Sequence, residues 1–303
     1  MTSRRWIAYS LLAILVLAGA TAAVNYRLNA LGVFGDVRGK TYASGLEDDR
    51  EAKYLFSFNY IPSNFDGVLV GTSVTGNWDT SKIDSARTYN LSVKEATITE
   101  EKILVENILA HGKLRLALFC LYPRMVHAHG RKTAYMMPRD YWTALGSEQL
   151  LRAYRNLILA KYGHRKPSFN SFGVLDLSNL ESNPEPWRIS YRDYHETEIV
   201  IDETAFAEYA ALVKETRASG ARVVGFVPPH ESEFWNTPDY GRFLARMKSL
   251  FLPGELMLDF NDPRYDQYRN NPDNFFDTVH MAKKSTNFLV SELNARLDQP
   301  PAL

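Results

Sequence analysis

The chain has 303 residues, 45% of them hydrophobic and 23% charged, with 35 Lys+Arg against 35 Asp+Glu. That length allows one large domain or two modest ones, and the composition is that of a folded protein rather than a disordered one. The charge balance leaves no basic field, so nucleic-acid binding is not expected. A single cysteine, Cys120, rules out a disulfide framework or a cysteine-based metal site, and its apolar surroundings read as core.

Residues 6 to 24 run from Trp6 to Val24 without a charge, directly after Arg4 and Arg5. At about 1.5 Å per residue, about 19 residues just span a ~30 Å hydrocarbon core. The arginines should hold residues 1–5 in the cytoplasm and leave the remainder outside, exported and membrane-anchored. Ala20-Thr21-Ala22 also offers a signal-peptidase spacing, but the apolar run is longer than a usual signal core, so an uncleaved anchor is preferred. Residues 25–64, polar and dotted with Gly32, Gly35, Gly39 and Gly45, read as a stalk and lead-in loops.

A domain is expected over residues 65–303. Val68-Leu69-Val70 reads as a buried strand that stops at Gly71-Thr72-Ser73. In open α/β sheets, reactive groups collect beyond the carboxyl ends of strands, so Ser73 is the first candidate for chemistry. A second short strand is expected near Asn90 to Val93. Thr97-Ile98-Thr99-Glu100 is a capping-box pattern that opens a helix of about a dozen residues stopped by Gly112. Leu114, Leu116, Leu118 and Cys120 alternate as a strand would. The pattern then weakens over about residues 123–200, which read as an insertion with one helix near 147–161. Beyond it come a helix capped by Asp202, a strand over 221–227, a helix around Phe243 to Leu250, a strand over 256–260 and a closing helix over 283–297. Helices alternating with strands predict a three-layer α/β/α sandwich with a mostly parallel sheet.

A second informative stretch, Asn274-Phe-Phe-Asp277-Thr-Val-His280, lies before the closing helix. An Asp three residues ahead of a His can accept the Nδ1 proton of the imidazole and leave Nε2 free to deprotonate a hydroxyl. Ser73, Asp277 and His280 are therefore read as nucleophile, orienting acid and base. His230, at a strand's carboxyl end, and Asn90, in the segment of the second short strand, are read as substrate contacts. His127 and His129 alternate, yet no third ligand follows at a metal-site spacing, so no metal is expected. No phosphate-loop or dinucleotide pattern is present and no cofactor is expected. Arg124, Arg131, Arg139, Trp142, Trp187, Tyr191 and Tyr194 in the insertion offer the flat faces and polar edges that suit sugar rings.

Gly71-Thr72-Ser73 after an apolar strand, Tyr89-Asn90-Leu91-Ser92 after it, and Phe276-Asp277-Thr278-Val279-His280 near the end together resemble the SGNH/GDSL hydrolase superfamily. More narrowly they resemble its membrane-anchored, exported branch, which includes alginate O-acetylation proteins and the D-alanyl transfer proteins of teichoic acid. Val24-Asn25-Tyr26-Arg27-Leu28-Asn29 is similar to that branch's juxtamembrane segment. The resemblance, over about residues 66–297, implies a flavodoxin-like domain whose Ser-His-Asp triad moves an acyl group, often acetyl, to or from a carbohydrate polymer. It implies a membrane-bound O-acyltransferase as a partner. Two departures stand out: Asn90 to Ala96 contains no glycine to serve as an oxyanion donor, and Tyr122-Pro123-Arg124 replaces the usual Gly-x-Asn-Asp block. A carboxylate at Glu95 would oppose an oxyanion forming nearby. The alternative expectation is a non-catalytic glycan-binding or assembly subunit on the same fold.

Overall fold

The computed structural model describes residues 3–42, 45–46, 49–127, 136, 138–177, 199–230, 239–277 and 279–298. Five strands form one sheet: β1 (Gly67–Val70), β2 (Thr88–Asn90), β3 (Leu116–Cys120), β4 (Arg222–Val227) and β5 (Met257–Asp259). Their order is β2-β1-β3-β4-β5, and every pairing is parallel. The order reverses at β1, so the loops leaving β1 and β3 diverge and open a crevice at the carboxyl edge. The expected α/β/α architecture is what the chain adopts.

The helices are α1 (Ser3–Leu28), α2 (Asp49–Ser57), α3 (Tyr60–Asn64), α4 (Ile98–His111), α5 (Glu148–Lys161), α6 (Glu203–Ala218), α7 (Tyr240–Lys248) and α8 (Lys283–Leu297). Thr97 forms the full capping box of α4: its hydroxyl accepts from Glu100 N, and Glu100 returns a bond to Thr97 N. Asp202 caps α6 through the N–H groups of Thr204 and Ala205. Parallel strands buried on both faces lose the alternation that marks a half-exposed strand. In β3 every residue is buried, with Ala117 and Phe119 as enclosed as Leu116 and Leu118. The strand lies where expected, but alternation is not its cause.

Residues 25–64 are more than a stalk. They contain α2 and α3, and Leu31, Val33, Leu55, Phe56 and Ile61 join the same apolar core as the sheet. α2 also carries Lys53, which is fully buried and donates from Nζ to Ser92 O at 2.5 Å. A lysine in that place hides the apolar pattern that would have marked the helix.

α1 is long and apolar enough to cross a membrane, and its apolar stretch is not buried against the protein. Its last turn is fastened to the domain: Asn25 Nδ2 donates to Leu145 O at 2.7 Å, and Tyr154 Oη donates to Asn25 Oδ1 at 3.0 Å.

Candidate active site

Ser73 begins a short 3-10 turn, Ser73–Thr75, immediately past β1. Thr75 N closes the turn on Thr72 O at 3.1 Å. The N–H groups of Ser73 and Val74, at the start of the turn, have no acceptor within it. Beneath the turn the chain is pinned by polar contacts that replace packing. Thr75 Oγ1 and Ser92 Oγ lie 2.7 Å apart, and Asn90 Nδ2 donates to the carbonyl oxygens of Thr75, Gly76 and Trp78 at 2.8, 3.2 and 3.1 Å. Asn90 Oδ1 accepts from Ser92 N at 3.0 Å.

The second loop arrives from the far edge of the sheet. Asp277 is bent back on its own segment, Oδ1 accepting from Val279 N at 2.8 Å and from His280 N at 2.7 Å. Its other oxygen, Oδ2, lies 2.7 Å from His280 Nδ1, and His280 Nε2 lies 3.0 Å from Ser73 Oγ. A carboxylate only accepts, so this contact places the imidazole hydrogen on Nδ1 and turns the lone pair of Nε2 toward the hydroxyl. The Asp277 side chain is fully enclosed, while that of His280 keeps 18% of its surface. Ser73 is likewise half-buried, open to a ligand on one side. The structure therefore brings together three of the five candidate residues, although two of them are separated from Ser73 by about two thirds of the chain.

The other two are placed differently. Asn90, read as a substrate contact, is 0% exposed, with its Nδ2 spent on the carbonyls of the serine turn and its Oδ1 on Ser92 N. His230 is also 0% exposed. Its ring stacks on Tyr122 at 5.6 Å between centroids and 18° between planes, so the carboxyl ends of β3 and β4 are closed by two flat rings. Burial, then the nearby Arg269 guanidinium and then His280 hold its imidazole well below the usual histidine range, neutral at physiological pH. Both residues are enclosed and present no surface to a substrate.

Glu95 stands in a turn that Ala96 N closes on Val93 O at 3.1 Å, with φ of 53°. The bridge between Thr72 and Val93 lays this turn beside the one bearing Ser73. Its carboxylate is exposed, so water screens the opposition expected from it. Cys120 is fully buried at the end of β3, as expected of a core residue. Trp142 is exposed on the 3-10 segment Pro138–Leu145, which packs against α1. His129, Arg131, Trp187, Tyr191, Tyr194 and the side chain of Arg139 lie outside the described residues.

The fold and the site together define an α/β/α domain with a serine, a histidine and an aspartate in hydrogen-bonded series at the carboxyl edge of a parallel sheet. No family model matches the sequence, and no curated protein matches it. Among solved structures, the chain is similar to the crystal structure of an acetyl xylan esterase, with a TM-score of 0.41 and 11% identity over 76% of this chain and 98% of that one. This is a loose superposition.

Proposed function

We propose that the chain is an exported, membrane-anchored, serine-dependent O-acyltransferase or esterase acting on a cell-surface or secreted polysaccharide. The observation that carries the reading is the series Ser73 Oγ to His280 Nε2 at 3.0 Å and His280 Nδ1 to Asp277 Oδ2 at 2.7 Å. Both contacts fall in the range of about 2.6–3.2 Å from which a base takes a proton.

Ser73 Oγ attacks the carbonyl carbon of an ester while its proton passes to His280 Nε2. The imidazolium that forms is stabilised by Asp277, whose oxygens are already oriented by two backbone donors. The negative charge gathers on the former carbonyl oxygen, for which the Ser73 N–H is a donor. Collapse breaks the bond to the leaving alcohol, which takes the proton back from His280 and leaves the acyl group on Ser73. A second hydroxyl, from a sugar or from water, then gives its proton to His280 and attacks the acyl-serine. The bond between the acyl group and Ser73 Oγ then breaks, Oγ takes that proton from His280, and the ester to the new acceptor, or the free acid, departs.

On this reading α1 keeps the domain beside the membrane, where a membrane-bound O-acyltransferase supplies the acyl group. The full chain in detergent should release p-nitrophenol from its acetate ester, and Ser73→Ala should lower kcat by about 10⁴-fold or more. A wild-type rate equal to that of Ser73→Ala would remove the catalytic reading and leave a glycan-binding protein.

A further inference from the structure

The two loops that carry the triad do not end at it. Four residues past Ser73, Asn77 turns back and donates from Nδ2 to Met281 O at 2.7 Å, tying the serine turn to the residue after His280. Beyond this tie the loops separate again, one through Asp79 and the other into Lys283 at the start of α8. Between them lies a groove of about 530 Å³ whose remaining lining comes from Thr41 and the segment 166–177. By chain length alone, Asn77 is within about 14 Å of Ser73 and Lys283 within about 11 Å of His280. The volume falls in the range of about 300–1,000 Å³ usual for small-molecule sites.

Segment 166–177 belongs to the insertion but is docked onto the site's own foundation. Phe169 and Leu175 pair as an antiparallel bridge, Leu175 N donates to Gly76 O at 2.8 Å, and Asn90 N donates to Phe172 O at 2.8 Å. Tyr60 Oη donates to Ser171 O at 2.9 Å. At Gly173, φ is 77°, and a Cβ would strike Asn90 O and the Tyr89 ring, so the segment seats there only as glycine. A wall held by this many fixed contacts costs little ordering when a ligand arrives.

We propose that this groove is a subsite for a hydroxyl-rich, uncharged glycosyl unit of the polymer, adjacent to the unit whose ester reaches Ser73. Its floor of Phe169, Val174 and Leu175 is apolar, as the C–H face of a sugar ring requires. Its rim holds two cations, Lys166 and Lys283, and two carboxylates, Asp79 and Asp176. A phosphate or uronate ligand calls for an excess of cations, which this balanced set does not give, whereas hydroxyls both donate and accept and suit a rim of mixed sign. An acyl chain alone would use the floor and leave the rim idle. The inference rests on the reading of Ser73 as a nucleophile toward carbohydrate esters and names the part of the substrate bound beside it.

The test uses the full chain in detergent carrying Ser73→Ala, which stops turnover, titrated by calorimetry with cellohexaose, xylohexaose and chitohexaose and, as the charged counterpart, hexaguluronate. At least one neutral hexasaccharide should bind with Kd of ~1 mM or tighter, and adding Val174→Trp should weaken it by about tenfold or more. Thermal unfolding of each variant verifies the fold, and Lys166→Ala with Asp176→Ala, at two exposed positions, gives a second weakening should Val174→Trp fail to fold. Binding of none of the neutral hexamers, binding unaffected by the folded variants, or tighter binding of hexaguluronate overturns the proposal. The catalytic reading is judged apart: hydrolysis of p-nitrophenyl acetate by wild type without hexasaccharide binding removes the subsite alone, and binding without hydrolysis removes the nucleophile alone.

Discussion

Asn77 Nδ2 donates to the backbone oxygen of Met281 at 2.7 Å across a sequence separation of 204 residues. The bond joins the loop of Ser73 to the loop of His280, and both partners are buried. A triad assembled from two loops keeps its geometry only if the loops move together, and a misplacement of about 1 Å can cost about 100-fold in rate. Asn77→Leu, similar in shape and unable to donate, should lower kcat for p-nitrophenyl acetate by about 10–100-fold with KM nearly unchanged, and should cost about 1–3 kcal/mol of stability from the orphaned carbonyl. Steady-state kinetics and urea unfolding measure the two effects, and a fall in stability with kcat intact would make the bond structural only.

Lys53 gives the protein a stability that depends on alkaline pH. Burial lowers its ammonium to about 8, against the pull of Asp49 and then Glu101 in the other direction. Between that value and the ordinary 10.5 the unfolded chain holds a proton that the folded chain has released, so stability rises with pH across this window. From pH 8 to pH 10 the gain should be about 2 kcal/mol, and Lys53→Met should lack it. Above pH 10 the buried phenols of Tyr89 and Tyr209, both held well above their usual range by burial, act in the opposite sense and close the window. Urea unfolding at half-unit steps of pH, wild type against Lys53→Met, measures the difference.

Glu95 adopts a left-handed backbone with φ of 53°, a conformation that opposes its Cβ to the neighbouring carbonyl. Glu95→Gly should therefore raise stability by about 1 kcal/mol. Glu95→Ala keeps a Cβ and should give no comparable gain, which separates relief of backbone strain from removal of the charge. Melting temperatures of the two variants decide between these causes.

Much of the fold can be read from the chain because its signals are local. Thr97 to Glu100 and Asp202 announce helix starts through their own side chains, and the apolar runs at 67–70, 116–120 and 223–227 are as short as buried strands are. Asp277 and His280 could be paired because three residues of one loop fix their relation without help from the rest of the molecule. The errors arise where a side chain's direction is set by distant partners. Asn90 sits at a strand end, as a ligand contact might, yet its amide faces the Thr75 and Gly76 carbonyls, and sequence carries no sign of which way it points. His230 is concealed in the same manner by its stack on Tyr122, more than a hundred residues away. The docked segment 166–177 left one trace, the turn formers of Asn170-Ser171-Phe172-Gly173, which mark a bend but not the surface it rests on.

The union of α1 with the domain has a consequence for reach. Asn25 lies within the last two turns of a helix that is unbroken to Leu28, and both ends of its amide are held by the body of the protein. In a chain anchored by that helix there is no slack leash between bilayer and domain, so the domain inherits whatever tilt the helix adopts. Such a protein cannot sweep the space above the membrane; on the proposed reading it works at one altitude and in one orientation, and a polymer has to be threaded past it.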